Sequence, residues 1–341
     1  MKYLTILISI ILFFNSCDKI EGPYYTKSGC IDPLAFNYDS LATIEDSCCY
    51  IAGCMNPNAT NYDSTACYDD GSCILTNPII FDATQKILIE DFTGHTCPNC
   101  PQAGAQLNNI INMYPNQVVG IAIHGEHDFS RPYPLQASEF TYDFRTTWGR
   151  DIDDFFGAAD NGLPVGMVNR MDYSNNHLKS KDEWLADIEG MLAHSPKFGI
   201  NIQIENNTII VNIKVFESIS DQYKIVICLT EDGIINWQKD GQNKIPDYEH
   251  KHILRSILTS SWGGEDLKSS QSYTQDEIIN KIYNFNLNDL EQNNIDASNT
   301  ILLNGNGNAG GWDENNINVV AYIYNTSNWQ IEQVEEVHLK P

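Results

Sequence analysis

Lys86-Ile87-Leu88-Ile89-Glu90-Asp91-Phe92-Thr93-Gly94-His95-Thr96-Cys97-Pro98-Asn99-Cys100-Pro101 carries the densest structural information in the chain. Lys86–Phe92 is a short apolar run of the kind that forms a buried strand. Thr93–Thr96 reads as a turn, and Cys97-Pro98-Asn99-Cys100 follows it directly. Leu107, Ile110, Ile111 and Tyr114 then share one face of a helix, and Val118–Ile123 reads as a second buried strand. Strand, CxxC, helix, strand is the order in which this motif carries redox chemistry. A zinc site would need a second cysteine pair at similar spacing, and the chain has no other CxxC. No metal site is therefore assigned. The spacing puts Cys97 at a helix N-terminus, where free N–H groups favour a thiolate. Cys100, one turn on, is placed to resolve a mixed disulfide.

The arrangement resembles thioredoxins, which carry a buried aspartate six residues before the first cysteine. Asp91 occupies that position here, beside Glu90, so either acid can face the motif. Gly162-Leu163-Pro164-Val165-Gly166-Met167-Val168 resembles the segment in which such folds place a cis-proline, and Pro164 would then face Cys97. Catalytic roles for Cys97, Cys100, Asp91 and Pro164 follow if the pair is redox-active. The competing reading is that Cys97–Cys100 is a fixed staple in a domain recruited for binding, since a fold licenses no activity by itself. His95 can tune the thiolate or serve as a polar turn residue, and His124 and His127 lack a well-placed third metal ligand. Gln136–Phe156 spaces its aromatics helically, and is expected as helical core material inserted into this domain. Asp182–His194 is the expected last helix.

After Ser195-Pro196 the period changes to two. Phe198–Ile204 and Thr208–Phe216 alternate about an Asn206-Asn207 turn, which predicts a hairpin. Tyr223–Thr230, Ile253–Leu258, Glu277–Leu287, Asn318–Tyr324 and Gln330–Leu339 add strands. Without long helices between them they predict an immunoglobulin-like β-sandwich. Cys228, inside an apolar strand, is expected as a buried free thiol.

The N-terminal region differs in kind. Tyr3–Phe14 is a nearly unbroken apolar run, too short to span a bilayer and of signal-peptide length. Ser16-Cys17 after it resembles a lipobox, so Cys17 is expected to be diacylated and to anchor the chain to a membrane. Gly29–Ser40 and Gly53–Ser64 then align at an offset of 24 residues, with Ala42/Ala66, Asp46/Asp70 and Cys49/Cys73 continuing the match. Repeats this short need cross-links instead of a core. The alignment pairs Cys30–Cys49 and Cys54–Cys73, which leaves Cys48–Cys67 to link the copies. Ser28–Gln85 contains no Lys or Arg and eight acids. Acid-rich loops can hold calcium, but no EF-hand spacing is present, so a solvated acidic stalk is expected with no cofactor.

Composition sets the outer limits. The 341 residues are 42% hydrophobic, with ten cysteines and a net charge of −25. Such a chain builds real cores, suits an exported protein, and repels phosphate backbones, so no nucleic acid is expected as a partner.

The residues Glu90–Pro101, Leu163-Pro164-Val165-Gly166-Met167-Val168-Asn169-Arg170 and His250-Lys251-His252-Ile253-Leu254-Arg255 resemble the family of the twenty-eight-kilodalton outer membrane protein. The resemblance implies a lipid-anchored outer-membrane protein, its face unspecified, with adhesin or receptor roles suggested and an unidentified protein partner or substrate. The expected organisation is a signal peptide over 1–16, a tether over 17–28 and disulfide-rich repeats over 29–75. An α/β thioredoxin-like domain over 79–195 and an all-β immunoglobulin-like domain over 196–341 complete it. An interaction role leads, and thiol–disulfide exchange on exported proteins is the alternative.

Overall fold

The computed structural model describes residues 27–55, 59–72, 74 and 79–340. The expected signal peptide, Cys17 and most of the expected tether lie outside the described residues. The chain divides between Pro78 and Ile79 into two compact units.

The first unit has the duplication that the sequence implies. Ser28–Gly29 pairs in parallel with Ile44–Glu45, and Ala52–Gly53 pairs in the same way with Tyr68–Asp69, 24 residues on. Its disulfides correct the expected pairing: Cys30 bonds Cys48, and Cys49 bonds Cys67. The cause is a slip of one residue late in the repeat. The Asn37 side chain donates to the Ser47 carbonyl and accepts from the Cys49 amide, while the equivalent Asn61 engages Ser72 and Ile74, 25 residues on. Cys48, not Cys49, is therefore the closing cysteine of the first copy, and Cys49 is free to cross to the second. Cys54 is disulfide-bonded, and its expected partner Cys73 lies outside the described residues. Asp32, Asp39, Asp63 and Asp70 each accept from a backbone N–H two residues on, as Asx turns. Among the described residues, no three side chains group to hold a metal ion.

The second unit is mostly β, with four α-helices. Its strands of four residues or more are β1 (Ile87–Thr93), β2 (Val118–His124), β3 (Val165–Val168), β4 (Phe198–Glu205), β5 (Thr208–Val215), β6 (Tyr223–Glu231), β7 (Ile234–Asp240), β8 (Asn243–His250), β9 (Ile253–Ile257), β10 (Ile278–Asn284), β11 (Ile317–Asn325) and β12 (Ile331–His338). The helices are α1 (Cys100–Met113), α2 (Thr147–Phe156), α3 (Trp184–Met191) and α4 (Leu287–Thr300). One open sheet runs β12-β11-β6-β9-β2-β1-β3, and a second is ordered β10-β5-β4.

Strand β1 is buried on both faces, as its apolar run requires. Ile87 and Ile89 pack with Leu107 and Ile110 of α1 and Trp184 and Ile188 of α3. Leu88 and Phe92 face the other way, toward Ile152 and Phe156 of α2. Strand β2 runs parallel to β1 from Ile87↔Val118 to Thr93↔His124, while β3 runs antiparallel through Phe92↔Val165.

Strands from both sides of the expected boundary at Ser195–Pro196 share one sheet within the Ile79–Pro341 unit. The physical link is β9, which joins β2 in parallel at Ile253↔Ala122 and carries the sheet across. Alternation then gives the shared strands two cores. Val226, Cys228, Val320 and Tyr322 pack with β1 and β2, while Ile225, Ile227, Val319 and Ile323 pack on β4 and β5. The three-stranded sheet thus packs on the far end of the motif-bearing sheet. Cys228 is free and buried.

Two further expectations are corrected, and one hairpin was not anticipated. Helix α2 begins only at Thr147, because Thr146 caps it by accepting from the Gly149 amide, and Gln136–Phe144 is irregular. The C-terminal part contains α4, a helix of 14 residues. It also contains the β7–β8 hairpin, which no apolar pattern marks.

Candidate functional site

Cys97 lies in the loop after β1, and α1 begins at Cys100, so Cys97 precedes the helix by one turn instead of heading it. The two sulfurs form a disulfide, with Cα atoms 5.5 Å apart. The loop is held from below. The Thr96 amide donates to the Phe129 carbonyl at 3.0 Å, and a Cβ on Gly94 would lie 2.6 Å from that same oxygen. Only glycine permits this approach.

From above, the loop is covered by the β7–β8 hairpin. The Lys239 amide donates to the His95 carbonyl and the Gly241 amide to the Pro98 carbonyl, both at 2.8 Å. Gln238 Nε2 donates to the carbonyls of Gly94 and Cys97 at 3.3 and 3.2 Å. Trp237 packs on Phe140, 5.8 Å between centroids, and Lys244 pairs with Glu139. Cys97 and Cys100 are left 1% and 2% exposed. With the hairpin in place, neither cysteine is open to solvent.

Beneath the hairpin lies a cavity of about 40 Å³, walled by Asp91, Cys100, His124, Gln238, Tyr248 and His250. That is room for one or two waters. Asp91 is the acid on this side. Burial pushes its carboxyl up to about 7, and its Oδ1 has no hydrogen-bond partner. Glu90 points the opposite way, as a neighbour on a strand must. Its oxygens accept from Arg170 Nε and Nη2 at 2.7 and 2.6 Å, and Arg170 also reaches the Tyr322 hydroxyl.

Histidines surround the motif. His124 and His250 pack on Phe144 with ring centroids 4.9 and 4.4 Å away, and His95 contacts both Phe140 and Phe144 at 5.6 Å. Burial lowers their affinity for protons: His95 and His127 fall to about 4, His250 to about 3, and His124 well below its usual value. At neutral pH these imidazoles are uncharged.

Pro164 follows a cis peptide bond and precedes β3. It is not among the walls of the cavity beside Cys100. The structure thus brings Asp91 and Cys100 to one cavity and places Pro164 at the start of the neighbouring strand. Sequence reasoning missed Gln238, Lys239, Tyr248 and His250. The one local signal for them is Asp240-Gly241, a turn dipeptide.

The family of the outer membrane protein Omp28 matches residues 152–310. That span includes the Leu163–Arg170 and His250–Arg255 segments but not the CxxC loop. Among solved structures, HBP35 of Porphyromonas gingivalis is similar at 14% identity, over 76% of this chain and 77% of that one, with a TM-score of 0.51. A protein of Agrobacterium tumefaciens is similar at 11% identity, over 76% of this chain and 96% of that one, with a TM-score of 0.46. A domain of the outer membrane lipoprotein Omp28 of P. gingivalis is similar at 15% identity, over 43% of this chain and 90% of that one, with a TM-score of 0.23. No curated protein matches the chain in sequence.

Proposed function

From a chain related to the Omp28 outer membrane protein family, we propose an outer-membrane-associated lipoprotein with an interaction or adhesion role on a thioredoxin-like scaffold. Cys97–Cys100 serves that scaffold as a staple. The observation that carries this reading is the seal over the disulfide: two backbone amides and the Gln238 side chain of one hairpin bond the carbonyls of the CxxC loop. Working thiol–disulfide exchange needs an accessible sulfur. The lipid on Cys17 supplies the membrane attachment, and the cross-linked acidic repeats with the immunoglobulin-like C-terminal part supply the surface for a protein partner.

The redox alternative keeps one observation in its favour, Asp91 beside Cys100 with a carboxyl that titrates near neutrality. In that reading Cys97 is the nucleophile, Cys100 resolves, and Pro164 shapes the substrate groove. Two experiments test the proposal. Cys17→Ser should release the protein from the outer-membrane fraction. The wild type should reduce or oxidise a model disulfide substrate no faster than the Cys97→Ser/Cys100→Ser variant. A clear excess of the wild type over that variant would favour the enzyme.

A further inference from the structure

Among the described residues, β7 and β8 pair only with each other and join no larger sheet. The base of this hairpin is clipped where Asp232 Oδ1 accepts from the His252 amide at 2.7 Å. Gly233 and His252, at its two ends, both have positive φ, 72° and 58°. Between those ends only Gln238 and His250 are buried. The hairpin is thus held on the CxxC loop by hydrogen bonds and half-buried side chains instead of a buried apolar face. Such a segment opens at lower free energy than the core. We propose that the hairpin is an acid-operated lid: as the histidines beneath it take up protons, it swings off the CxxC loop as a unit while the sheets behind it stay folded.

The imidazoles are placed as the trigger. His95 and His124 of the body and His250 of the hairpin surround Phe144, with ring centroids 5.6, 4.9 and 4.4 Å from it. Both ring nitrogens of His124, Nδ1 of His95 and Nε2 of His250 have no hydrogen-bond partner. A proton added there while the lid is closed would be a buried N–H without an acceptor. The charged groups facing the cluster are already matched: Arg145 with Asp143 and Glu126, Arg131 with Asp128, Arg255 with Glu231, and Lys251 with Glu249. Asp153 of α2 comes up against Gly125, and His127 adds a further uncharged ring. Burial takes His95 to about 4, His250 to about 3 and His124 well down. Each that regains its usual 6.5 on uncovering favours opening about 25-fold between pH 7 and pH 5. Asp91, held near 7 under the lid, opposes opening by about 50-fold. Three histidines outweigh it.

The lid goes beyond the staple reading and does not depend on it. The test is hydrogen exchange read by mass spectrometry on the purified protein at pH 7 and pH 5, corrected for intrinsic exchange rates. Between the two, protection of residues 234–250 should fall at least tenfold further than that of β6 and β11. His124→Leu, which removes a ring with no bond to lose, should shrink that extra fall tenfold or more. If it does not fold, His250→Gln carries the same test. Hairpin protection that is unchanged at pH 5, that falls in step with β6 and β11, or that responds undiminished in the variant would overturn the proposal.

Discussion

The amide of Lys239 donates to the carbonyl of His95 at 2.8 Å, so a β-hairpin more than a hundred residues downstream closes the loop that holds the CxxC disulfide. With Gly241 on Pro98 and Gln238 on Gly94 and Cys97, it makes reactivity at this motif a question of whether the hairpin moves. The surrounding core decides how costly that movement is.

The Glu90–Arg170 pair anchors the opposite face of the motif-bearing strand, both side chains being buried. Removing one partner leaves the other charge without compensation, at a cost of about 3–5 kcal/mol. Glu90→Gln should lower the unfolding free energy by that amount in urea titration. A loss below about 1 kcal/mol would mean that the pair contributes little.

Acid should loosen the cover. The imidazoles of His95, His124, His127 and His250 are depressed in the folded state, so between about pH 6.5 and 4 the unfolded chain binds their protons and the folded chain does not. Stability present above that window is lost as the pH falls through it. Asp91 and Glu336, both raised to about 7, act in the opposite sense, gaining protons in the folded state first. His252 is depressed by burial as well, and five imidazoles outweigh two carboxyls, so stability should fall between pH 7 and pH 5. Urea titrations at pH 7 and pH 5 measure it, and His250→Gln should reduce the slope.

Gly94→Ala tests the seat of the loop. The new methyl would lie 2.6 Å from the Phe129 carbonyl oxygen, and overpacking of this kind costs about 1–3 kcal/mol. A melting temperature equal to the wild type's would show that the loop has slack.

In the first unit, digestion under non-reducing conditions followed by mass spectrometry should recover Cys30–Cys48 and Cys49–Cys67. Each link closes 18 residues and should contribute about 3 kcal/mol on the loop-entropy estimate. Recovery of Cys30–Cys49 would contradict the pairing.

The strand–CxxC–helix–strand order is legible in the sequence because β1, α1 and β2 are strongly patterned and contiguous. So are the β4–β5 hairpin and the free thiol at Cys228. The cover is not legible, because β7 places polar Asn236 and Gln238 where a half-buried strand usually carries apolar residues, and Ile235 is exposed. Helix α4 is masked for a related reason: it is rich in asparagine, buries Asn294 and Ser298, and only Leu287, Leu290 and Ile295 mark an apolar stripe. The cysteine pairing escapes alignment because adjacent Cys48 and Cys49 serve different partners, and one inserted residue exchanges their roles.

The reduction potential of Cys97–Cys100 in the folded protein, equilibrated in thiol–disulfide buffers, tests the sealed staple most directly. A buried structural bridge should lie below about −300 mV, or reduce only as the protein unfolds. A value between about −120 and −270 mV in the folded state, the range of working oxidoreductases, would contradict it.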